Sequence, residues 1–363
     1  MTKYSNTRAT LAIAVASFRS IIRSPSAVVF SLAFPLIFII VFANIGGSGV
    51  TVDVGVAKTC DTVGPVYQVL KNIKVIHLIT KESSKEMASN LSKGNIDAVI
   101  NIQKNNSQPP YTLNVQYTDA SQQKGGVLKS VLNSVFYQLN SQGNTTVQPV
   151  ANIQETTVKG REYKYIDFIL PGMLGFSLLS SGVFGTAFVF LSLRLTLVIK
   201  RFFATPVKRH SIVLGEAIAR LVFSWIGALF IILVGHYFFG FTLVHGITTV
   251  ANMLVLSAIG LIIFMGFGFI ISGVAKNEST VPPLSNIITM PQFLLSGTFF
   301  ATTAFPQWLQ SLSNILPLTY LNKAMREVAF EGAGLGDVTH ELLILGIWFI
   351  IIYAVAVKTF KWE

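Results

Sequence analysis

Acidic residues are scarce in this chain, cysteine is nearly absent, and no glycine is followed by lysine anywhere in its 363 residues. Cys60 is the single cysteine, so no internal disulfide can form and any water-facing part must be held by its own core or by its partners. Without a Gly-Lys dipeptide the chain has no phosphate-binding loop of the GxxxxGK[ST] kind. Charged residues make up 12% against 52% hydrophobic, too little polar surface to coat a soluble globule. No internal repeat is visible, and no cluster of histidines, cysteines and acids marks a metal or catalytic site.

What is present is a lopsided hydropathy pattern, positive on average. One apolar run lies at Ala27–Phe42, a polar interlude follows from about Gly47 to Glu162, and nearly two hundred mostly apolar residues come after it. A membrane-spanning helix needs roughly 20 apolar residues. The candidates are Ala27–Gly46, Asp167–Leu193, Ile212–Phe239, Thr248–Val274, Leu284–Phe300 and Leu342–Val357, which makes six spans. Nothing resembling a small-x-small cleavage site follows Phe42, so the first is expected to be a retained anchor rather than a secretory signal.

Short loops set orientation through their lysines and arginines. The segment before the first span carries Lys3, Arg8, Arg19 and Arg23 with no acid, and the loop after the second carries Arg194, Lys200, Arg201, Lys208 and Arg209, again with none. Six spans with both termini in the cytoplasm satisfy both, and place Gly47–Glu162 outside. The net charge of +11 then reads as this bias plus a mildly basic outer segment, with twelve Lys/Arg against eight Asp/Glu between Gly47 and Lys164, rather than as a nucleic-acid footprint.

The expected organisation is an α-helical polytopic membrane protein. Residues 1–26 form a cytoplasmic amphipathic interfacial helix, because Arg8, Arg19 and Arg23 share one stripe while Ile13, Phe18 and Ile21 point elsewhere. Residues 27–46 are the first span. Residues 47–162 form a small α/β domain, with strands at Val52–Val56, Val75–Ile79, Ile96–Ile102, Tyr111–Tyr117 and Val150–Val158. Its helices fall at Ser83–Lys93 and Gly126–Ser141, the latter with an apolar face of Val127, Leu128, Val131, Leu132, Val135, Phe136 and Leu139. His77, its only histidine, is expected to be a packed or surface residue rather than a ligand.

Residues 163–363 hold the remaining five spans, with a basic loop at 194–211 and an outer re-entrant segment at 301–338. Pro171-Gly172 permits a kink near the outer end of the second span. Glu216 and Arg220, four apart, are expected to pair near the cytoplasmic surface, and His236 to be an interface residue rather than a proton relay. The central portions of the second to sixth spans hold no acid, which argues against an ion-driven carrier.

Two stretches are more specific. The loop core Lys200-Arg201-Phe202-Phe203-Ala204-Thr205-Pro206-Val207-Lys208-Arg209 places basic residues and two aromatics around a Thr-Pro turn. Further on come Pro291-Gln292-Phe293-Leu294-Leu295-Ser296-Gly297-Thr298-Phe299-Phe300, then Phe305-Pro306-Gln307-Trp308-Leu309-Gln310, then Leu316-Pro317-Leu318-Thr319-Tyr320-Leu321 and Arg326. Ser296-Gly297-Thr298 offers small residues for close helix approach, Pro306 and Pro317 each start a short helix, and Trp308 suits the headgroup level. In this order the elements resemble ABC-2 type transporter permeases, of the subgroup with a long extracytoplasmic insert. The likeness extends over essentially the whole chain, to its basic-aromatic ending Lys358-Thr-Phe-Lys-Trp-Glu.

The resemblance implies the transmembrane subunit of an exporter in a bacterial inner (plasma) membrane, without a nucleotide site or cofactor of its own. Its partners would be a cytoplasmic ABC ATPase holding ATP-Mg, a second permease copy or a sister permease, and membrane lipids; no nucleic acid is implied. Lys200, Arg201, Phe202, Phe203, Thr205, Pro206 and Arg209 fall on the family's ATPase-coupling segment, with Arg8 and Arg19 as supporting contacts. Ser296, Gly297, Thr298 and Phe299 fall near the outer end of the substrate pathway. Many relatives carry glutamates just before the coupling turn, whereas Leu195–Arg201 has none, so an acid-to-arginine contact is not carried over. Glu216 stands where many members have a basic residue. The substrate class expected is amphiphilic: a drug, a lipid or a lipid-linked molecule. The rival reading is a membrane-anchored receptor or assembly scaffold acting through its outer domain, weakened because display needs only one or two spans.

Overall fold

The computed structural model describes residues 5–24, 29–45, 52–73, 75–80, 83–105, 110–118, 121–141, 151–158 and 164–360. The chain divides into two compact units, one made of Met1–Gly46 with Tyr165–Glu363 and the other of Gly47–Lys164. The first unit opens with α1 (Asn6–Ile22) and continues, after a π-helical turn at Val29–Ala33, as α2 (Phe34–Ile45). Ser24-Pro25-Ser26 is a sequence expected to break the helix before the first span; of it only Ser24 is among the described residues.

The inserted unit contains β1 (Val52–Val56), α3 (Pro65–Lys71), β2 (Ile76–Ile79), α4 (Ser84–Lys93), β3 (Ala98–Lys104), β4 (Tyr111–Thr118), α5 (Gln122–Ser141) and β5 (Ala151–Val158). Its five-stranded sheet has the order β2-β1-β3-β4-β5. β1 runs parallel to β2 and β3, β3 antiparallel to β4, and β4 parallel to β5. Alternation along β3 buries Ala98, Ile100 and Ile102, while Leu113 and Val115 of β4 and Leu128 and Leu132 of α5 complete the core. Phe136 and Leu139 fall among the side chains left undescribed. Ser83 and Glu86 close a reciprocal cap on α4, and Gly94 ends it at φ 77°. The periodicity did not mark α3; its signal is Gly64-Pro65, with proline at the first helical position.

The first unit resumes with α6 (Tyr165–Ser180), a π-helical turn at Ser181–Gly185, and α7 (Thr186–Leu195). Then come α8 (Val198–Phe203), α9 (Arg209–Phe239), α10 (Ile247–Val274), α11 (Val281–Leu295), α12 (Gln307–Ser313), α13 (Pro317–Arg326) and α14 (Thr339–Thr359). Among the described residues four helices are long and apolar enough to cross a membrane: Tyr165–Leu195, Arg209–Phe239, Ile247–Val274 and Thr339–Thr359. A shorter apolar helix runs over Ser31–Val41.

The fifth candidate span differs from expectation, because α11 is 15 residues long and stops at Leu295, before the Ser-Gly-Thr stretch. At 1.5 Å per residue that is about 22 Å of helix, short of a roughly 30 Å hydrocarbon core. The irregularity in the second span is also displaced. α6 runs through Pro171, and the departure from α geometry begins ten residues later, at Ser181–Gly185.

Candidate functional site

The basic loop is built on a tight reversal. α7 ends at Leu195, and Leu197 adopts φ 59°, the one described non-glycine residue in the left-handed region. A loop residue with a bulky side chain reaches that conformation only when its surroundings hold it there. One holder is Arg194, whose guanidinium donates to the Ala275 carbonyl at 2.5 Å and ties the end of α7 to the turn after α10. α8 then carries Lys200, Arg201, Phe202 and Phe203; Ile199 is buried and Arg201 is exposed, while the side chains of Lys200, Phe202 and Phe203 are outside the described set. Thr205, Pro206, Lys208 and Arg209 are exposed where the chain turns into α9.

α1 lies along the first half of α9. A β-carbon on Gly215 would come within 2.7 Å of Ile13 Cγ2 and 3.0 Å of the Thr10 carbonyl, and further along Phe18 and Ile21 pack with Ala219 and Phe223. Residue numbers rise together on both helices, so the two run in the same sense. Arg8 is therefore at the loop end of α1. Arg19 is eleven residues on, about 16 Å further from the loop at 1.5 Å per residue. Both are exposed, and Leu11, Val15 and Ile22 form an exposed apolar stripe beside them. Ile13, Phe18 and Ile21, which the sequence placed off the basic stripe, face α9.

The second group, Ser296–Phe299, sits in a turn after α11 rather than at a helix crossing. Gly297 takes φ 70°, and buried Ser296 caps α11 by donating its hydroxyl to the Gln292 carbonyl. α13 pins the turn: Asn322 Nδ2 donates to the Ser296 carbonyl at 3.2 Å and to Thr298 Oγ1 at 3.3 Å, and Arg326 Nη2 donates to the Gly297 carbonyl. α6 holds the other side. Arg326 Nε donates to the Phe168 carbonyl at 3.0 Å with its guanidinium carbon 3.6 Å from the centre of the Phe168 ring, and the Tyr165 hydroxyl donates to the Phe299 carbonyl at 2.7 Å. A β-carbon on Gly172 would meet the Thr298 carbonyl at 2.7 Å, so backbones touch here. Small residues do permit a close approach, but the glycine that matters is on α6.

Phe299 closes a group of rings with Phe34, Phe38, Phe176 and Phe293, the tightest pair being Phe176 and Phe293 at 4.2 Å. Beside the turn, Gln292 Oε1 and Asn322 Oδ1 are buried without a hydrogen-bond donor. Neither residue stood out in the sequence as a functional candidate; Gln292 lies within the stretch already quoted, and Asn322 is four residues before Arg326. Trp308 is exposed on α12.

Five other polar residues have clear places. Asp167, fully buried, accepts from the Thr242 amide at 2.7 Å, and His236 Nδ1 lies 2.8 Å from the Phe241 carbonyl, so both brace the turn between α9 and α10. His77 is exposed and lies 2.8 Å from Asp53. Glu216 and Arg220 do pair, at 2.7 Å, and with side chains only 3% and 5% exposed they are covered by neighbouring side chains. Spacing reveals that two residues share a face; it does not reveal what covers that face. Among the described residues no group of three His, Cys, Asp or Glu is placed to hold a metal.

The family model described as ABC-2 family transporter protein matches residues 25–358. The chain is 26% identical over 372 residues to ABC transporter G family member 20 of Dictyostelium discoideum, covering 96% of this chain and 50% of that protein. It is thus similar to about half the length of that relative. It is 26% identical over 204 residues to the inner membrane transport permease YadH of Escherichia coli, covering 55% of this chain and 75% of YadH. It is 24% identical over 255 residues to the linearmycin resistance permease protein LnrN of Bacillus subtilis, covering 69% of this chain and 64% of LnrN.

Proposed function

The chain belongs to the ABC-2 family of transporter proteins, and from that premise we propose that it is the permease subunit of an exporter driven by ATP hydrolysed on a separate subunit. ATP-Mg binds that partner and not this chain. The permease crosses a bacterial inner membrane six times, with α1 at the cytoplasmic interface, both termini inside, and the inserted unit outside. It works as a dimer with a second copy or a sister permease.

The observation that carries this reading is the loop at 194–211. It is basic, free of acid, exposed at Arg201, Thr205, Pro206, Lys208 and Arg209, and anchored through Arg194 to the chain after α10. An ATPase surface moving against Lys200, Arg201, Phe202, Phe203, Thr205, Pro206 and Arg209 would act directly on the foot of α9, with Arg8 beside it. Arg19 is a more distant support. Ser296, Gly297, Thr298 and Phe299 line the outer end of the route that substrate takes.

The substrate class is an amphiphile. Support comes from the ring group around Phe299 set beside the unpaired amide oxygens of Gln292 and Asn322, and from a relative named for resistance to linearmycin. The test is the double variant Arg201→Glu/Arg209→Glu in membranes. It should insert at the normal level yet fail to couple ATP hydrolysis to export. Undiminished ATPase stimulation and export in that variant would remove the loop from the mechanism.

A further inference from the structure

The helix formed by α6 and α7 changes winding at Ser181–Gly185, and two neighbours hold that π-helical turn. On one side is α10, where a β-carbon on Gly268 would come within 2.6 Å of Thr186 Cβ and 2.8 Å of the Gly182 and Val183 carbonyl oxygens. On the other is Arg220 of α9. Its Nη1 donates to the Ser181 carbonyl at 3.2 Å and fills the space a side chain on Gly185 would need. Its Nη2 meets Glu216 at 2.7 Å, and its Nε is buried without an acceptor.

Stability alone does not account for this arrangement. Burying an ion pair in an apolar helix bundle costs several kcal/mol of desolvation per ion, on the order of what the attraction returns, and an apolar pair of similar size is often as good or better. Charges within a membrane-spanning segment, like π-helical turns, concentrate where function needs them.

α9 starts at Arg209, at the end of the basic loop, and Arg220 is eleven residues, about 16 Å, along it. We infer that Arg220 is a positioning residue that passes displacement of α9 to the π-helical turn, an inference resting on the transporter reading above. While the guanidinium engages the Ser181 carbonyl, the wider turn persists. When α9 shifts and the guanidinium withdraws, the turn can lose its extra residue and rewind as α-helix, rotating α6 against α7 by about 100°, one residue's worth. That rotation would re-aim Gly172 and Phe176, the α6 residues that pack on Thr298 and Phe293.

The test uses the full chain with the ATPase that co-purifies with it, in lipid nanodiscs. Cys60→Ser removes the native thiol, and Phe188→Cys on α7 with Ile350→Cys on α14, both exposed, carry spin labels. Neither label is on α9, so a change in their separation must have been transmitted. A non-hydrolysable ATP analogue should shift the distance distribution in the parent. The shift should vanish in Glu216→Met/Arg220→Met, an apolar pair chosen to keep the fold, and Arg220→Lys should restore part of it. A double-methionine variant that responds like the parent overturns the inference and leaves the transporter reading intact. A parent that does not respond to nucleotide overturns the transporter reading itself.

Discussion

The two units of this protein obey opposite rules of burial. In the inserted unit the sheet and its helices bury valine, isoleucine and leucine, and Val63 is its one described large apolar residue that is strongly exposed. The other unit leaves Ile287, Tyr237, Phe238, Leu343 and Ile350 exposed while burying Asp167, Glu216, Arg220, Gln292 and Asn322. Where water is the solvent, apolar contact is the main source of cohesion. Where lipid is the solvent, apolar surface gains little from being hidden, and packing with hydrogen bonds takes over. Polar burial is therefore the sign to follow in the membrane unit, and apolar burial in the inserted one.

That contrast can be broken or sharpened by substitution. The largest effect is expected from Leu113→Ala, which empties the middle of the inserted sheet and should cost about 2–5 kcal/mol; hydrogen exchange of β3 and β4 in the full chain reads it. Arg326→Met should cost about 1–3 kcal/mol by leaving the Gly297 and Phe168 carbonyls without their donor, measured as a lower unfolding temperature in detergent. A loss below that of a surface substitution would mean that the turn at Ser296–Phe299 is held by packing alone.

Asp97 gives a smaller effect with a sign. Burial pushes its carboxyl above the ordinary range, outweighing Lys124 at 3.2 Å and the Asp53 amide. The folded unit thus takes up a proton more readily than the unfolded chain. Relative to Asp97→Asn, the wild type should gain stability as pH falls from neutral toward the usual carboxylate value of about 4, and gain nothing further below it. A difference that shrinks instead on acidification would mean Lys124 dominates. Ile350→Ala should change stability least, within about 0.5 kcal/mol, because its side chain is mostly exposed. A loss as large as that of Leu113→Ala would mean that α14 is covered by another chain.

Legibility in the sequence followed the same divide. Alternation placed β1 and β4, and short apolar runs β2 and β3, to within two residues at each end, because one buried face imposes a period of two. It missed α3, where only Pro65 speaks. In the membrane unit, length and hydropathy located the four long helices, since the bilayer demands them, but not where α11 stops. That depends on Gly297 turning the chain and on Arg326 and Asn322 gripping it from thirty residues away or nearly so. The burial of Glu216 and Arg220 was illegible for the same reason. Arg220 fits into space that Gly185 on another helix leaves open, and a glycine in a single sequence does not name its neighbour.

Leu197 has one more consequence. A leucine held at positive φ is strained by about 1–2 kcal/mol, and glycine would relieve that strain. It would also loosen the bend. If force enters the protein at the loop after it, a stiff elbow converts a push into travel, and a slack one absorbs it. The discomfort of that leucine is then the stiffness of a lever arm, and a more stable glycine variant would be the weaker machine.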